Sequence, residues 1–376
     1  MSMDINTDLH LHSPFARGVS PRMQPRVLLE ASARKGIGAI GTGDALHPAW
    51  RRAWASELEN EHGIVVLPTV EVQAERRVHH LTLFPDFEAV EVFGDLLAPH
   101  GRSHETEGRP HVRMTGGEVV RAAHEAGGLA GPSHAFTPYT GCYAAFSSIE
   151  GCYGGERIDF LELGLSADSS YGAGISELHS TPFISSSDAH SPELHRIGRE
   201  FTRLDTREAS AAGVLDALAR GRVVMNVGLF PEEGKYNETA CTRCSHHFSL
   251  AEAVQHGWRC PEDGTPLKKG VRDRAHELWD DDPRPRPPYL HLIPLGEVIA
   301  VVLGLGSPNA KAVRRVHEAL LAAFSTEIAV MVDLPIETIA RVHPAVARAI
   351  AALREGRVTL HPGGGGCYGT FELPAA

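Results

Sequence analysis

Cysteine is scarce in this chain, with 6 among 376 residues. So few cysteines exclude a small secreted protein that depends on disulfide bridges. No apolar run is long enough to span a membrane. The first residues lack the basic region and the apolar stretch of a signal peptide. We therefore expect a cytoplasmic protein with no membrane partner.

An excess of basic charge is also absent, because 36 Lys and Arg residues face 47 Asp and Glu residues. The resulting formal net charge of −11 argues mildly against a nucleic-acid-binding protein, which usually has a basic footprint. The argument is weakened by the 22 histidines and by carboxylates whose charge bound divalent cations would offset.

The chain divides into three parts of different character. Residues 1–228 alternate strand and helix signals, which predicts an α/β barrel with parallel strands. Residues 229–283 are polar, rich in loops and contain a cysteine cluster. Residues 284–376 begin with a proline-rich linker, read as a helical domain and end in a glycine-rich tail. Within this last part, Ser307 and Pro308 predict the start of a helix that runs to about Phe324.

Potential metal ligands follow the predicted strands of the first part, and parallel-barrel enzymes collect their chemistry at those strand ends. His10 and His12 are two residues apart, so on a strand both rings face the same way. Asp188 and His190 repeat this arrangement, and the two carboxylate oxygens of Glu71 could bridge two ions. The predicted ligands are His10, His12, Asp44, Glu71, His80, His134, Asp188 and His190.

This mixture of nitrogen and oxygen ligands suits divalent zinc, manganese or iron, and magnesium is a further candidate. Two or three such ions close together can orient a phosphate, generate a hydroxide nucleophile and stabilise the leaving oxygen. The predicted reaction is therefore phosphoester hydrolysis, with Asp188, His190 and Glu71 as catalytic residues. A single His-x-His pair would mean little, and the prediction depends on the whole set.

The cysteine cluster predicts a zinc ribbon. Cys241 and Cys244 form a Cys-x-x-Cys pair, and fifteen residues separate Cys244 from Cys260. This spacing is typical of one structural zinc ion. Asp263 stands where a fourth cysteine is expected, and an aspartate can ligate zinc. A ribbon that no longer binds metal is the other interpretation. The alternative fourth ligands are His246, His247 and His256.

Residues 1–228 resemble the polymerase and histidinol phosphatase (PHP) superfamily. The resemblance implies a distorted (β/α)7 PHP barrel with a trinuclear metal centre at its carboxyl-terminal face. The usual second motif is Asp followed directly by His, whereas two residues separate Asp44 from His47 here. Either side chain could therefore bind the third metal. The segments that carry the resemblance are 10–13, Glu71, His80, 132–134 and 188–190.

The whole arrangement of barrel, ribbon and helical tail resembles the endonuclease Q family of DNA repair nucleases over nearly the full chain. The resemblance implies nicking of DNA on the 5′ side of uracil, hypoxanthine, xanthine or an abasic site, which leaves a 3′-hydroxyl and a 5′-phosphate. Selecting a deaminated base is expected to require its extrusion into a pocket between barrel, ribbon and tail. The segments that agree are 108–110, 134–138, 162–168, 187–191, 198–201, 234–236, 269–271 and 286–289.

The DNA partner would need cations for phosphates and rings for base stacking. The predicted DNA-binding residues are Arg109, Arg199, Lys235, Tyr236 and Tyr368. Two other functions stay open. A PHP-type phosphatase for a small phosphate monoester would leave the ribbon and the tail without a task. A catalytically inactive nucleic-acid-binding protein disagrees with the nearly complete ligand set.

Overall fold

A computed structural model of the chain describes residues 2–101 and 106–374. Strands and helices alternate through the first part of the chain, so the α/β prediction is confirmed. The strands are β1 (Met3–Asp8), β2 (Ala39–Gly41), β3 (Val65–Leu67), β4 (Thr69–Gln73), β5 (His79–Leu83), β6 (Leu129–Pro132), β7 (Leu161–Glu162), β8 (Phe183–Ile184), β9 (Phe201–Thr206), β10 (Val223–Gly228), β11 (Ala240–Cys241), β12 (Leu267–Lys268), β13 (Tyr289–His291), β14 (Thr359–His361) and β15 (Thr370–Glu372).

The helices connect these strands and form most of the C-terminal part. Those before β11 are α1 (Pro25–Lys35), α2 (Pro48–Ala55), α3 (Phe87–Leu97), α4 (Gly116–Glu125), α5 (Cys142–Ala145), α6 (Ile149–Tyr153) and α7 (Ala211–Ala219). Those after it are α8 (Leu250–Gln255), α9 (Val271–Leu278), α10 (Leu295–Val302), α11 (Lys311–Phe324), α12 (Ile336–Ala340) and α13 (Pro344–Arg354).

Strands β1 to β10 form three sheets, and β13 from the C-terminal part is added to the largest of them. That sheet has the order β13-β10-β9-β1-β2-β3, the second has the order β4-β5-β6, and β7 pairs with β8. Strands β1, β2 and β3 are parallel, but β9 is antiparallel to both its neighbours and the second sheet is antiparallel throughout. The prediction of parallel strands is therefore wrong for these pairs. The connection from β4 to β5 is only residues 74–78, which is too short for a parallel crossover.

Two features of the C-terminal part differ from the expected helices. Strand β13 pairs in parallel with β10, so this part adds an edge strand to the large sheet. Helix α11 begins at Lys311 and not at Pro308, because Ser307 accepts hydrogen bonds from Asn309 and Ala310 and closes a turn before the helix. The glycine-rich tail forms the loop between β14 and β15, as predicted.

One hydrophobic core joins the first and last parts of the chain. It contains Leu28 of α1 and Trp54 of α2 together with Leu320 of α11 and Ile350 of α13. A buried ion pair crosses the same boundary, with Lys35 Nζ 2.7 Å from Glu327 Oε1. Removing either partner would leave an uncompensated buried charge, which is strongly destabilising. Within the described residues, no helix combines the length and the apolar character needed to cross a membrane.

Candidate metal centre

Two groups of potential ligand atoms lie close together, on side chains that follow β1, β6 and β8, on β4, and on the first residue of β5. The first ligand group is His10, His12 and Asp188, and the second is Glu71, His79 and His134. Within each group the ligand atoms lie within 4.8 Å of one another. A parallel bridge between Leu11 and Ala189 fixes the first group, because it aligns the segment after β1 with the segment after β8.

Glu71 connects the two groups through its two carboxylate oxygens. Oε1 lies 3.1 Å from His134 Nε2 and 2.9 Å from His79 Nδ1. Oε2 lies 3.5 Å from His12 Nε2, on the side of the first group. The side chain is buried, so this carboxylate is placed to bridge two cations.

The structure brings His79 to the centre, and not the predicted His80. In the antiparallel pairing of β4 with β5, Glu71 lies opposite Leu81, which shares its face of the sheet with His79. His80 points to the other face, where its Nδ1 lies 2.9 Å from the Tyr153 hydroxyl. Burial lowers the pKa of His80 to about 3, so the ring is neutral there. The geometry of the strand therefore favours His79 over the predicted His80 as a candidate ligand.

Asp44 lies behind the first ligand group and not among its ligand atoms. Its Oδ1 is 3.3 Å from His12 Nδ1, and its Oδ2 accepts hydrogen bonds of 2.6 Å from both the backbone N–H and the hydroxyl of Ser13. A carboxylate in this place orients a ligating imidazole. The alternative His47 stacks on the Phe15 ring at 3.7 Å, also away from the two groups.

Glu162 has the same relation to His10, and sequence reasoning did not select it as a site residue. His10 Nδ1 lies 2.9 Å from Oε2 and 3.0 Å from Oε1. The backbone N–H of His134 donates to Oε2 at 2.8 Å, so one carboxylate holds a member of each ligand group. A carboxylate only accepts, so Nδ1 of His10 carries the proton and Nε2 is the nitrogen available to a metal. Its position at the end of β7 alone does not distinguish it from other glutamates.

The electrostatics of the centre fit a cation-binding site. His10 Nε2 is buried and has no hydrogen-bond partner, as expected for a ligand atom. Burial opposes the charged form of this ring, but Glu162 and Glu71 outweigh it and raise the pKa of His10 to about 9. Burial likewise opposes ionisation of Glu71, yet the charges of His79 and His10 hold its pKa well below the usual value. Metal ions would take over the role of these protons, which makes affinity pH-dependent.

Three predicted site residues have a left-handed backbone conformation that residues other than glycine rarely adopt. The φ angles are 50° for Asp44, 31° for His134 and 47° for Asp188. Such conformations cost of order 1–3 kcal/mol each and persist where the surroundings enforce them. Gly164 shows how tightly one of them is held, because a Cβ at Gly164 would lie 2.6 Å from the His134 Cβ.

His190 and Arg109 lie at the edge of the centre. The His190 ring is 4.7 Å from the His12 ring, and its side chain is 41% exposed. Its Nδ1 lies 2.9 Å from the Asp188 carbonyl oxygen. Arg109 donates from Nη1 to Glu71 Oε2 at 2.9 Å. Both side chains are therefore partly exposed to solvent beside the two ligand groups, at what we call the mouth of the centre. A ligand that approaches the centre would contact them there.

The cysteine cluster brings together its four predicted ligands. Cys241 Sγ lies 3.8 Å from both Asp263 oxygens, Cys244 Sγ lies 3.7 Å from Cys260 Sγ, and all four ligand atoms fall within 4.8 Å of one another. The three alternative histidines lie elsewhere. His247 pairs with Glu238, and His246 and His256 lie beside Phe248.

Two of the five predicted DNA-binding residues line a cavity of about 370 Å³. Arg199 and Tyr368 line it, together with Gly234 at the start of the ribbon part. Arg199 donates from Nε to the Ser187 carbonyl at 2.9 Å, next to Asp188 of the first ligand group. Lys235 lies 4.5 Å from the centre of the Tyr368 ring. The structure thus places these side chains near one another, whereas Arg109 belongs to the metal centre.

Comparison with known families finds two matches. Residues 173–223 match a PHP-associated family, and residues 294–357 match the MJ0043 C-terminal domain family. MJ0043 of Methanocaldococcus jannaschii, an uncharacterised protein, is 40% identical over 246 residues, or 63% of this chain. This chain spans about a third of that protein, 31% of its length. YqxK of Bacillus subtilis, also uncharacterised, is 31% identical over 98% of this chain and 99% of its own length.

Among solved structures, the chain is similar to the lesion-specific endonuclease PfuEndoQ from Pyrococcus furiosus. The identity is 42% over 99% of this chain and 96% of that one, with a TM-score of 0.94. A second structure shows endonuclease Q in complex with a 27-mer duplex substrate that has an abasic lesion at the active site. There the identity is again 42%, over 99% of this chain and 97% of that one, with a TM-score of 0.93.

Proposed function

This chain belongs to the endonuclease Q family, and we propose that it is a metal-dependent endonuclease that cuts DNA beside a damaged nucleotide. The observation that carries the proposal is the bridging position of Glu71 between two ligand groups at the strand ends. The Pyrococcus relative is a lesion-specific endonuclease, and endonuclease Q holds an abasic lesion at its active site. The ribbon and tail add a surface that a phosphatase for small monoesters would not need.

We propose that each ligand group holds one divalent ion, with Glu71 shared between the two. Bound ions of this kind would orient the phosphodiester and lower the pKa of the attacking water. His190, exposed at the mouth, is the remaining candidate ligand for a third ion. Zinc, manganese, magnesium and iron are the candidates for the barrel sites, and the ribbon would hold one structural zinc ion through Cys241, Cys244, Cys260 and Asp263.

The residues of this chain have separate tasks in the proposal. Asp44 and Glu162 fix the orientation of His12 and His10, so that both Nε2 atoms face the centre. Arg109 donates to Glu71 now, and its guanidinium could bind a substrate phosphate at the mouth. The three sheets would correspond to the distorted barrel of the PHP superfamily, with domains at 1–228, 229–283 and 284–376.

The proposed substrate is duplex DNA with uracil, hypoxanthine, xanthine or an abasic site, cut on the 5′ side of the lesion. A base inside a duplex is out of reach, so the damaged nucleotide would leave the stack, which is easier where pairing is weak. The cavity beside Arg199 and Tyr368 is proposed to receive it, because its lining includes residues of all three parts of the chain.

The experiment incubates the purified protein and Mn²⁺, Mg²⁺ or Zn²⁺ with four duplexes, each with one of these lesions, and with an undamaged duplex. We expect one nick on the 5′ side of the lesion and an intact undamaged duplex. Asp188→Asn should abolish cleavage, because it removes the charge of a ligand that His10 and His12 face. Asp95→Asn, at an exposed aspartate of α3, is the matched control and should cut like the wild type.

The same samples separate the other functions. Hydrolysis of a phosphate-ester dye without any nick would indicate a phosphatase and overturn the proposal. Lesion binding without cleavage under all three metals would indicate an inactive binding protein. Equal nicking by wild type and Asp188→Asn would show that the activity comes from a contaminant.

A further inference from the structure

A cluster of three tyrosines and two lysines lies beside the metal centre and contains a pair that the site described above does not use. This aromatic cluster is Tyr139, Lys268, Tyr236, Lys235 and Tyr368. Lys268 Nζ lies 3.6 Å from the centre of the Tyr139 ring, and Lys235 Nζ lies 4.5 Å from the centre of the Tyr368 ring. The Tyr139 and Tyr236 rings meet edge to face, with their centres 5.9 Å apart at 78°.

The backbone ties Tyr139 to both ends of the second ligand group. On one side, the Thr137 N–H donates to the His134 carbonyl at 2.8 Å. On the other side, the His79 N–H donates to the Thr140 carbonyl at 2.9 Å. Tyr139 is therefore at the tip of a short loop whose two ends are fixed at proposed metal ligands, and a group on its ring would be next to the centre.

Tyr139 combines a strained backbone with an exposed aromatic side chain, and both features are unfavourable unless the residue has a function. Its φ is 78°, in the left-handed region, and 48% of its surface is exposed. Lys268 lies over one face of the ring and the Tyr236 ring is nearly perpendicular to it, yet almost half of the Tyr139 surface stays exposed. Strained backbone of this kind clusters at functional sites, and here it holds a half-exposed aromatic side chain.

The charges of Lys235 and Lys268 are not neutralised by a nearby carboxylate among the described residues, so they are available to a ligand. Among the described residues, neither Lys235 nor Lys268 has a carboxylate within 4 Å, whereas the neighbouring Lys269 pairs with Glu277 at 2.6 Å. Cation–π contacts with tyrosine hold both ammonium groups in place. An exposed ring flanked by unneutralised lysines suits a partner that has a flat π face and a phosphate.

We propose that the aromatic cluster is a stacking platform for a nucleobase that loses its neighbour in the DNA when the damaged nucleotide leaves the stack. The exposed part of the Tyr139 ring stacks on the base, and Lys268 and Lys235 neutralise the adjacent phosphates. The inference rests on the proposed endonuclease function. It assigns Tyr139 and Lys268 to substrate binding. Neither lines the cavity proposed to receive the damaged nucleotide, whereas Tyr368 of the same cluster does.

The test compares Tyr139→Gly, Tyr139→Phe and the unchanged tyrosine, all in a protein with Asp188→Asn, which is expected to leave the DNA uncut. Glycine accepts the left-handed backbone, so Tyr139→Gly should melt no lower than its parent. Its affinity for abasic duplex, measured by fluorescence anisotropy, should fall roughly 10- to 100-fold, the effect of losing one base–aromatic stacking contact. Tyr139→Phe keeps the ring and should bind within about twofold of the parent.

A second series locates the base. It uses duplexes that lack one further base, either opposite the lesion or on its 5′ or 3′ side. At one of these positions, removing the base should weaken binding to the parent but not to Tyr139→Gly, because both changes remove the same contact. Additive losses at every position, or parental affinity of Tyr139→Gly, would overturn the platform. Absence of lesion-specific binding by the parent would instead overturn the proposed function.

Discussion

Replacing Glu162 by Gln tests whether this residue prepares the centre for metal. The substitution keeps the size of the side chain but leaves one accepting oxygen where the carboxylate has two. In the structure, His10 Nδ1 and the backbone N–H of His134 both need an acceptor from this group. Oε2 accepts from both, so the single oxygen of glutamine could still do so. Its NH2 group would then take the place of Oε1, 3.0 Å from His10 Nδ1, and the negative charge that faces His10 would be lost. His10 therefore loses part of what holds its orientation.

The expected size follows from the contact that is lost. A hydrogen bond to a charged group contributes about 1.5–3 kcal/mol. Loss of a carboxylate that orients a metal-bound histidine typically weakens metal binding by about 10- to 100-fold, or about 1.4–2.8 kcal/mol. The two ranges agree, so we expect Glu162→Gln to raise the dissociation constant for Mn²⁺ or Zn²⁺ by one to two orders of magnitude.

Isothermal titration of metal-stripped protein measures this constant directly, and bound metal after dialysis against a chelator gives an independent reading. Glu125→Gln, at an exposed glutamate of α4, is the matched control and should bind metal like the wild type. If Glu162→Gln binds both ions with unchanged affinity, the second oxygen is not needed and the orienting role assigned to Glu162 is wrong.

Three further predictions concern the centre, the ribbon and pH. His79→Ala should lose bound metal and cleavage, whereas His80→Ala should keep metal and lower the melting temperature, because His80 faces a buried hydroxyl on the other side of β5. Asp263→Cys should slow zinc loss to a chelator, because a fourth thiolate completes a common structural zinc site. Glu233→Gln should stabilise the fold increasingly from about pH 4.5 to about pH 8, because burial and then Glu297 raise the pKa of Glu233 to about 8.

The sign of the pH effect follows from the raised pKa. The folded protein binds the Glu233 proton more tightly than the unfolded chain, so wild-type stability falls as pH rises through this window. Glutamine does not titrate, and melting curves from pH 4 to pH 9 measure the difference. A difference that does not change with pH would refute the raised pKa of Glu233. Metal loss from His80→Ala would refute the place given to His80. Unchanged zinc loss from Asp263→Cys would refute the role of Asp263 in the cysteine cluster.

The sequence predicted the order of helices and strands well, but not how the strands pair. The alternation of strand and helix signals over residues 1–228 agrees with the structure, because these signals are local. The antiparallel sheet of β4, β5 and β6 depends on the length of the connection after β4 and on long-range pairing. Strand β13 was missed because its proline-rich surroundings resemble a linker, and it forms only by pairing with β10.

Within the site, the pattern of residue types predicted which segments come together better than which side chains face one another. His79 and His80 are adjacent, and the side of the strand that faces Glu71 is settled by the register of β4 with β5. Asp44 was recognised as part of the site, but its left-handed backbone turns it behind His12. Glu162 could be selected only after its contacts with His10 and His134 were known, since an isolated glutamate at a strand end has no spacing signal.

The strained backbone at Asp44, His134, Asp188 and Tyr139 has a consequence for engineering. A search for a more heat-resistant variant that ranks substitutions by folding free energy would favour glycine at the half-exposed Tyr139, where it would release strain. At the other three positions glycine would also remove hydrogen bonds to buried partners. Selection for heat resistance alone would therefore remove the proposed stacking residue first. A programme to increase the heat resistance of this protein should screen for DNA cleavage at every round, or it should exclude these four positions from the library.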